Sequence, residues 1–499
     1  MSSVYKNPGR GKLSEGYRRY YPANPSVGFS FYKEELQSCN QGLYYETAIG
    51  KAAIDALTHY VVGPGLVPMA SPERDILGWT EEETERFQKE AESFYRLVTG
   101  NAAIDYYGKN PFRQLQQIAF KTICIVGDVL LHTGYRRTKG GIRPFVQVIS
   151  GKYVMNPGNG IDTSKMIGGV EFDEHGKEIA YHVMITGENL EDTFETIRCP
   201  RYTAKGRKAF DLVTLGLSDP MQTRGIPVLN SVKDDILSMT KFKELHLTKA
   251  AIQALFTVFI EKSQDDEPGA ESLKEKLKNI AEPEYQENEP SGNDIALGTG
   301  NIIEGNPGEK FVSVESQPQA SDFETYMKSI LTLVAPAVGG MSYEMLVNSY
   351  NASFSASRAT IGACEKNFRI LRDDFQKKFL EPVYRLVVEY GILTGHITAP
   401  GYMEGDGLYK DAVLASTWVG VTPVQVDPTK EVRGYADAIK ANLCTHEQAI
   451  RALYGSDADE VFQRLAKERK QLEESGLDNE EKTDEAAAES DTDKEENEE

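Results

Sequence analysis

The chain has 499 residues, 40% of them hydrophobic and 26% charged, the composition of a globular protein with a sizeable core and length for two or three domains. No apolar run approaches the roughly 18–20 residues of a membrane helix, and the N-terminal MSSVYKNPGRGKLSEGYRRYY has no apolar stretch behind its basic residues, so neither a span nor a signal peptide is expected. Of the net charge of −21, the tail Glu473–Glu499 supplies −12 through fourteen acids and two lysines, which leaves −9 for everything before it. An acidic body cannot grip nucleic acid by neutralising phosphates, which disfavours a tight DNA-binding regulator. A wall along which DNA slides is not disfavoured, since weak repulsion prevents sticking. Cys39, Cys124, Cys199, Cys364 and Cys444 are scattered and never form CxxC, as unpaired thiols in a reducing cytosol would be.

In chain order, residues 1–40 are rich in Tyr, Gly and Pro with little period and read as an arm. Tyr44–Val62 places Ile49, Ala53, Leu57 and Tyr60 at helical spacing and stops at Gly63-Pro64-Gly65. A second helix opens at Glu81 with an acid-rich first turn. From about 126 to 215 the texture becomes β: Phe145–Ile149 and Glu178–Val183 read as strands, and Asp173-Glu174-His175-Gly176 as a hairpin turn. A helical tract over Val228–Glu261 follows, with Leu229, Val232, Ile236 and Met239 on one face and Leu247, Ala251, Leu255 and Val258 or Phe259 continuing it. Residues 262–318 are Asp/Glu/Pro/Gly-rich and loop-like. The next helix starts with Ser321-Asp322-Phe323-Glu324, read as a capping box, and ends at Pro336 and Gly339-Gly340. After an irregular polar segment, Phe354, Ile361, Cys364, Phe368, Leu371, Phe375, Phe379, Val383 and Val387 give the longest apolar stripe of the chain. A continuous helix there would run roughly 55 Å at 1.5 Å per residue, kinked but not ended by Pro382. The tail beyond residue 477 reads as disordered.

Catalytic signatures are missing. Gly50-Lys51 lacks the upstream glycine and following Ser/Thr of a phosphate loop, no GxGxxG follows a strand, and there is no GxSxG. His446-Glu447 lacks the second histidine of a zinc protease, because position 450 is Ile. The pairs Asp234-Asp235 and Asp373-Asp374 point about 100° apart on a helix and do not share a site. Arg136-Arg137 with Lys139 forms a small basic cluster. Arg18-Arg19 with Tyr17, Tyr20 and Tyr21 could stack on a strand but reads better as a wrap on a neighbouring subunit. No catalytic residue, metal site or cofactor is expected.

Several strings, in order, resemble one family, the lambda-type portal proteins of tailed phages. The resemblance runs over about Glu46–Leu477. It starts at Ala53-Ile54 and Val61-Val62-Gly63-Pro64-Gly65-Leu66. It continues through Asn156-Pro157, Gly168-Gly169-Val170-Glu171-Phe172-Asp173, Gln222-Thr223-Arg224-Gly225-Ile226-Pro227 and Gly305-Asn306-Pro307-Gly308-Glu309. It then passes through Ala335–Leu346 and Asn351–Arg358, where Ser357-Arg358 closes the string, to Asp427-Pro428-Thr429-Lys430-Glu431. Gly340-Met341-Ser342 and Phe354-Ser355 depart from the family's commoner G-[VL]-S and Tyr-Ser.

The resemblance implies an α+β, mainly α-helical portal fold (wing, stem, clip, crown) with an antiparallel β module in the wing. The implied regions are an arm at 1–40, wing at 41–227, stem helices at 228–261 and 319–338 around a clip at 262–318, and a tunnel loop at 339–353. A long wing helix at 354–392, a crown region at 393–477 and an acidic tail at 478–499 complete the chain. Implied DNA-facing residues are Ser342, Tyr343, Glu344, Asn348, Ser349 and Asn351. Gly63, Gly65, Arg224, Gly225, Pro227, Ser357, Arg358, Asp427, Pro428 and Lys430 are motif positions expected to be structural, and Ile361, Phe368, Leu371 and Phe375 are expected to be packing. A twelve-fold ring at a capsid vertex of the virion is implied. Double-stranded DNA would pass through it during packaging and ejection, with terminase large subunit, major capsid and scaffold proteins, and a neck adaptor as partners, and no membrane. The alternatives at this point are a neck adaptor or other virion ring protein, or a cytosolic enzyme of unrecognised type.

Overall fold

A computed structural model of the chain describes residues 29–184, 195–217, 220, 222–255, 259–260, 303–304, 320–349, 354–420, 428–454 and 458–475. They divide into two compact units, Met1–Ser231 with Ala335–Glu499, and Val232–Val334. The expected acidic tail, Asp427, Asn351, the Gly305–Glu309 string and most of the 262–318 excursion lie outside the described residues.

The first unit opens with α1 (Phe29–Glu46), so residues 29–40 are helix where an arm was expected. Its buried face explains why no apolar period marks it. Leu36 and Leu43 share that face with Lys33, Gln37 and Asn40, all nearly inaccessible. Each polar member has a hydrogen-bond partner: Lys33 Nζ donates to the Lys152 and Val154 carbonyls at 2.8 and 2.7 Å, Gln37 to Val126 O, and Asn40 to Leu36 O. Thr47, in extended conformation, then caps α2 (Ala48–Val61), accepting from Gly50 N at 3.1 Å. The single helix expected from Tyr44 is therefore two. Gly63 (φ 53°) donates to Thr58 O and turns the chain into β1 (Val67–Ala70), which pairs antiparallel with Ser416–Val419 far along the chain. α3 (Arg74–Leu77) and α4 (Glu81–Thr99) follow; α4 opens with a complete Thr80/Glu83 capping box. α5 (Phe112–Val126) leads into the β region.

That region holds two antiparallel sheets. β2 (Asp128–Thr138), β3 (Gly141–Ser150) and β8 (Phe210–Thr214) form one, in the order β3-β2-β8. β4 (Met166–Ile167), β5 (Val170–Phe172), β6 (Glu178–Met184) and β7 (Thr196–Pro200) form the other. Leu130, Val154, Val170 and Tyr181 make a dry cluster, with Ile149, Phe172, Val183 and Phe210 packed around it. The turn before β6 is closed as the sequence suggests, with Asp173 accepting from the His175 and Lys177 amides.

One buried ion pair ties this region together. Arg224 and Asp128 have side chains with no solvent exposure. Nε donates to Asp128 Oδ2 at 2.6 Å and Nη2 to Oδ1 at 2.8 Å. The remaining guanidinium hydrogens reach the carbonyls of Gly151 (2.8 Å), Val154 (2.9 Å) and Gly168. All five donors of the guanidinium are thereby used. The backbone closes tightly around the pair. A Cβ on Gly151 would lie 1.7 Å from Asp128 Oδ1, and one on Gly225 would lie 1.8 Å from Gly127 O. Asn156 braces the adjoining loop, accepting from Gly169 N at 2.6 Å and donating to Asp162 at 3.0 Å.

Among the described residues of the tract expected to be helical over 228–261, the α-helix is α6 (Lys233–Leu255), in the second unit; Val228–Ser231, ahead of the unit boundary, is a 3-10 turn. Phe259–Ile260 is not on a helix face but is β9, paired in parallel with β10 (Ile303–Glu304). Leu247, expected on the apolar face, is 60% exposed. α7 (Ala320–Ala337) is already helical one residue before Ser321, and carries Pro336 as its penultimate residue. Inside this unit Phe242 stacks on Phe323 and meets Tyr326, with ring centroids 5.8 and 4.2 Å apart.

The first unit resumes with α8 (Tyr343–Val347) and α9 (Phe354–Phe375). A π-helical turn, Gln376–Leu380, connects α9 without a break to α10 (Glu381–Leu393). Proline lacks an amide hydrogen and its ring crowds the carbonyl four residues back. One widened turn before Pro382 lets the helical hydrogen bonding continue past the proline, which does not end the helix, as expected. The buried face carries a stacked aromatic series: Phe375 on Phe379 at 5.0 Å, Phe379 on Phe112 at 6.0 Å, and Phe368 on Tyr60 at 5.4 Å. α11 (Gly407–Val413), β11 (Ser416–Val419), α12 (Pro428–Lys440), α13 (His446–Tyr454) and α14 (Ala458–Ser475) complete the chain.

Removing one partner of the Arg224–Asp128 pair leaves a buried uncompensated charge. Asp128→Ala is expected to lower unfolding free energy by about 3–5 kcal/mol in chemical denaturation. A loss below about 1 kcal/mol would contradict the role assigned to the pair.

Candidate functional site

Between residues 335 and 353 the only charged side chain is Glu344. Residues 339–353, expected as an irregular loop, are in their described part an anchored and partly helical segment. Gly339 and Gly340 both take left-handed φ, 71° and 74°. A Cβ on the first would sit 2.4 Å from Leu57 Cδ1 and on the second 2.3 Å from Asn367 Nδ2, so a side chain at either position would have to displace a neighbour as well as adopt a strained conformation. Asn367 Nδ2 donates to Gly340 O, tying the turn to α9. Ser342 then caps α8, its hydroxyl accepting from Met345 N at 3.3 Å. Asn348 (φ 52°) ends the helix, and both its amide and that of Ser349 donate to Glu344 O. Met341, Met345 and Leu346 are buried. A five-residue helix is too short to show a period in sequence, which is why the segment reads as a loop.

This anchoring sorts the expected DNA-facing residues. Ser342, Tyr343 and Glu344 are half-buried, and Ser342 also bonds Cys364, whose thiol is pushed up by burial and pulled partly back by those bonds. Asn348 is exposed and Ser349 half-buried, next to Val347 at 41% exposure. Of the motif positions, Gly63 and Gly65 form the turn after α2, and a Cβ on Gly65 would press on Arg113. Arg224 and Gly225 hold the buried pair, and Pro227 is buried beside them. Ser357 is buried with its hydroxyl unpartnered, while Arg358 is exposed. Pro428 begins α12, and Lys430 is exposed in its first turn. Ile361, Phe368 and Phe375 are buried and Leu371 is half-buried.

Three groups escaped the reading of the sequence. Asp128 carries no local motif. Lys33 lies in the stretch taken as an arm. Arg372 sits beside the apolar stripe of α9, donating to the Val61 and Tyr60 carbonyls at 3.0 and 2.8 Å and to Glu365 at 3.1 Å, and so closes the C-terminal end of α2. A broader signal was also legible and unused: Tyr106–Ile161 holds eight Lys/Arg and a single acid, the buried Asp128. Among the described residues no group of His, Cys, Asp or Glu could hold a metal ion, and no helix is long and apolar enough to cross a membrane.

A sequence model of the family described as phage portal protein, lambda family, matches residues 35–372. The chain belongs to that family. The match begins inside α1 and spans the Arg224 node, the anchored segment and most of α9. Among relatives, the portal protein of Escherichia phage N15 is 23% identical over 438 residues, covering 85% of this chain and 82% of the relative. Portal protein B of Escherichia phage lambda is 23% identical over 444 residues, covering 85% and 81%. A chain from the neck of a native gene transfer agent particle superimposes with a TM-score of 0.39 at 11% identity, over 85% of this chain and 93% of that one, too loosely to transfer detail.

Arg372→Met keeps the buried stem and removes the donors that satisfy the end of α2. Hydrogen exchange at the Val62 and Gly63 amides, which bond Thr58 O, is expected to speed by about ten-fold or more. Unchanged protection would show that the guanidinium does not hold this helix end.

Proposed function

We propose that this chain is the portal subunit of a tailed phage: a ring-forming channel at the capsid vertex of the virion, through which double-stranded DNA enters during packaging and leaves during ejection. The carrying observation is the family match over residues 35–372, two-thirds of the chain, together with relatives aligned over most of their length. The reading assigns twelve copies to the ring, closed by two different complementary faces on each subunit. The terminase large subunit, which would supply the work of packaging, docks on it, as do capsid and scaffold proteins during assembly and a neck adaptor afterwards. No reaction chemistry is required of this chain.

In this reading the anchored segment meets the DNA. A surface in sliding contact with a polyanion should carry few cations, since each phosphate neutralised adds to the grip; from 335 to 353 there is none. It should also be held in place, and the glycine turn, the Ser342 cap and buried Met341, Met345 and Leu346 do that. Val347, Asn348, Ser349 and the residues beyond them to Asn351 are then the positions that face the duplex.

Asn348 must keep its left-handed conformation, so the test leaves it in place. Ser349→Lys with Asn351→Lys is expected to leave rings intact and to slow in vitro packaging by about two- to ten-fold, more at low salt than at high. Wild-type filling rates with intact rings would remove this segment from the DNA path.

A further inference from the structure

In a chain of net charge −21, residues 106–161 carry +7. The concentration peaks at the β2–β3 hairpin, a ladder of ten residue pairs closed by Lys139-Gly140. No acid occurs from Val129 to Ile161. Arg136 and Arg143 lie directly opposite each other across the hairpin, a repulsive placement. Arg136 is drawn away, donating to the Tyr106 and Ala103 carbonyls, both at 2.9 Å. Arg137, Lys139 and Arg143 remain exposed, and no acidic side chain among the described residues pairs with them. The hairpin is rigid where they sit, since Tyr390 Oη donates to Ile142 O at 2.7 Å and the strands are fully paired.

The chain also carries the complementary charge. Residues 476–499 contain twelve acids and two lysines. We infer that this segment docks on the Arg137–Arg143 hairpin of the assembled protein. The geometry allows it. Ala458 and Gln463 of α14 line the same groove as Glu81–Arg96 of α4. The far end of α4, at Leu97 and Val98, lines a cleft with Arg143. α4 is about 28 Å long and the rest of α14 beyond Gln463 about 18 Å, whereas 24 extended residues span up to about 80 Å. Tethering places the acids at an effective concentration in the millimolar range, which lets individually weak ion pairs add up. A duplex has no such tether.

Carbodiimide coupling of the full-length chain, read by peptide mass spectrometry, tests this. At ~20 mM salt, cross-links from Lys139 to acids in 476–499 are expected to exceed those from Lys366, an exposed lysine of α9, by at least about five-fold, and to vanish at ~0.5 M salt. Arg137→Glu with Arg143→Glu, both on the exposed hairpin, should reduce the Lys139 cross-links about ten-fold. Equal labelling from Lys366, or cross-links that survive this charge reversal, would sink the proposal. So would an equimolar 30-base-pair duplex that abolishes the cross-link and is retained only by the chain with Arg137 and Arg143 intact, since DNA would then be the occupant.

Discussion

A guanidinium taken wholly out of water must find an acceptor for each of its five hydrogens, and that requirement shapes the β region. Arg224 meets it with both oxygens of Asp128 and the carbonyls of Gly151, Val154 and Gly168. Those acceptors come from the start of β2, the turn after β3 and the turn between β4 and β5, so one side chain sets the spacing of three pieces of backbone. Lys33 of α1 shares the Val154 carbonyl, which adds the first described helix to the same node. The glycines at 127, 151 and 225 are the steric consequence, because each lies where a Cβ would enter the pair or the backbone beside it.

The helical half obeys a similar logic of ends and interruptions. The C-terminal end of α2 is closed both by Gly63 and by Arg372 reaching from α9. The π-helical turn accommodates Pro382 between α9 and α10, and Phe368, Phe375, Phe379 and Tyr384 along them are all buried. The Gly339-Gly340 turn lies against α2 and α9, between Leu57 and Asn367. The anchored segment therefore inherits its position from α2 and α9.

Much of this was legible in the residues. The stripe from Ile361 to Phe375, the β strands and the Asp173 turn followed from periodicity and turn chemistry, and the ordered motif strings pointed to the family. What failed to show did so for physical reasons. Apolar periodicity cannot reveal a buried face that is partly polar, as in α1, where Lys33, Gln37 and Asn40 are satisfied by backbone carbonyls from other elements or their own helix. It cannot reveal a five-residue helix such as α8, or the switch from α6 to a strand at Phe259, where non-local pairing decides. Arg224 was visible as a motif position, but its partner lies 96 residues away with no local mark. Of the candidate site, the absence of cations was plain in the sequence, while its anchoring by Met341, Met345 and Leu346 needed the fold.

A portal reading has one consequence that no monomeric protein shares. The mass of the purified full-length chain in native mass spectrometry should fall at about 0.67 MDa, twelve copies of a 55.5 kDa subunit. A single species at the mass of one subunit, persisting at high protein concentration and in the presence of scaffold protein, would contradict the account.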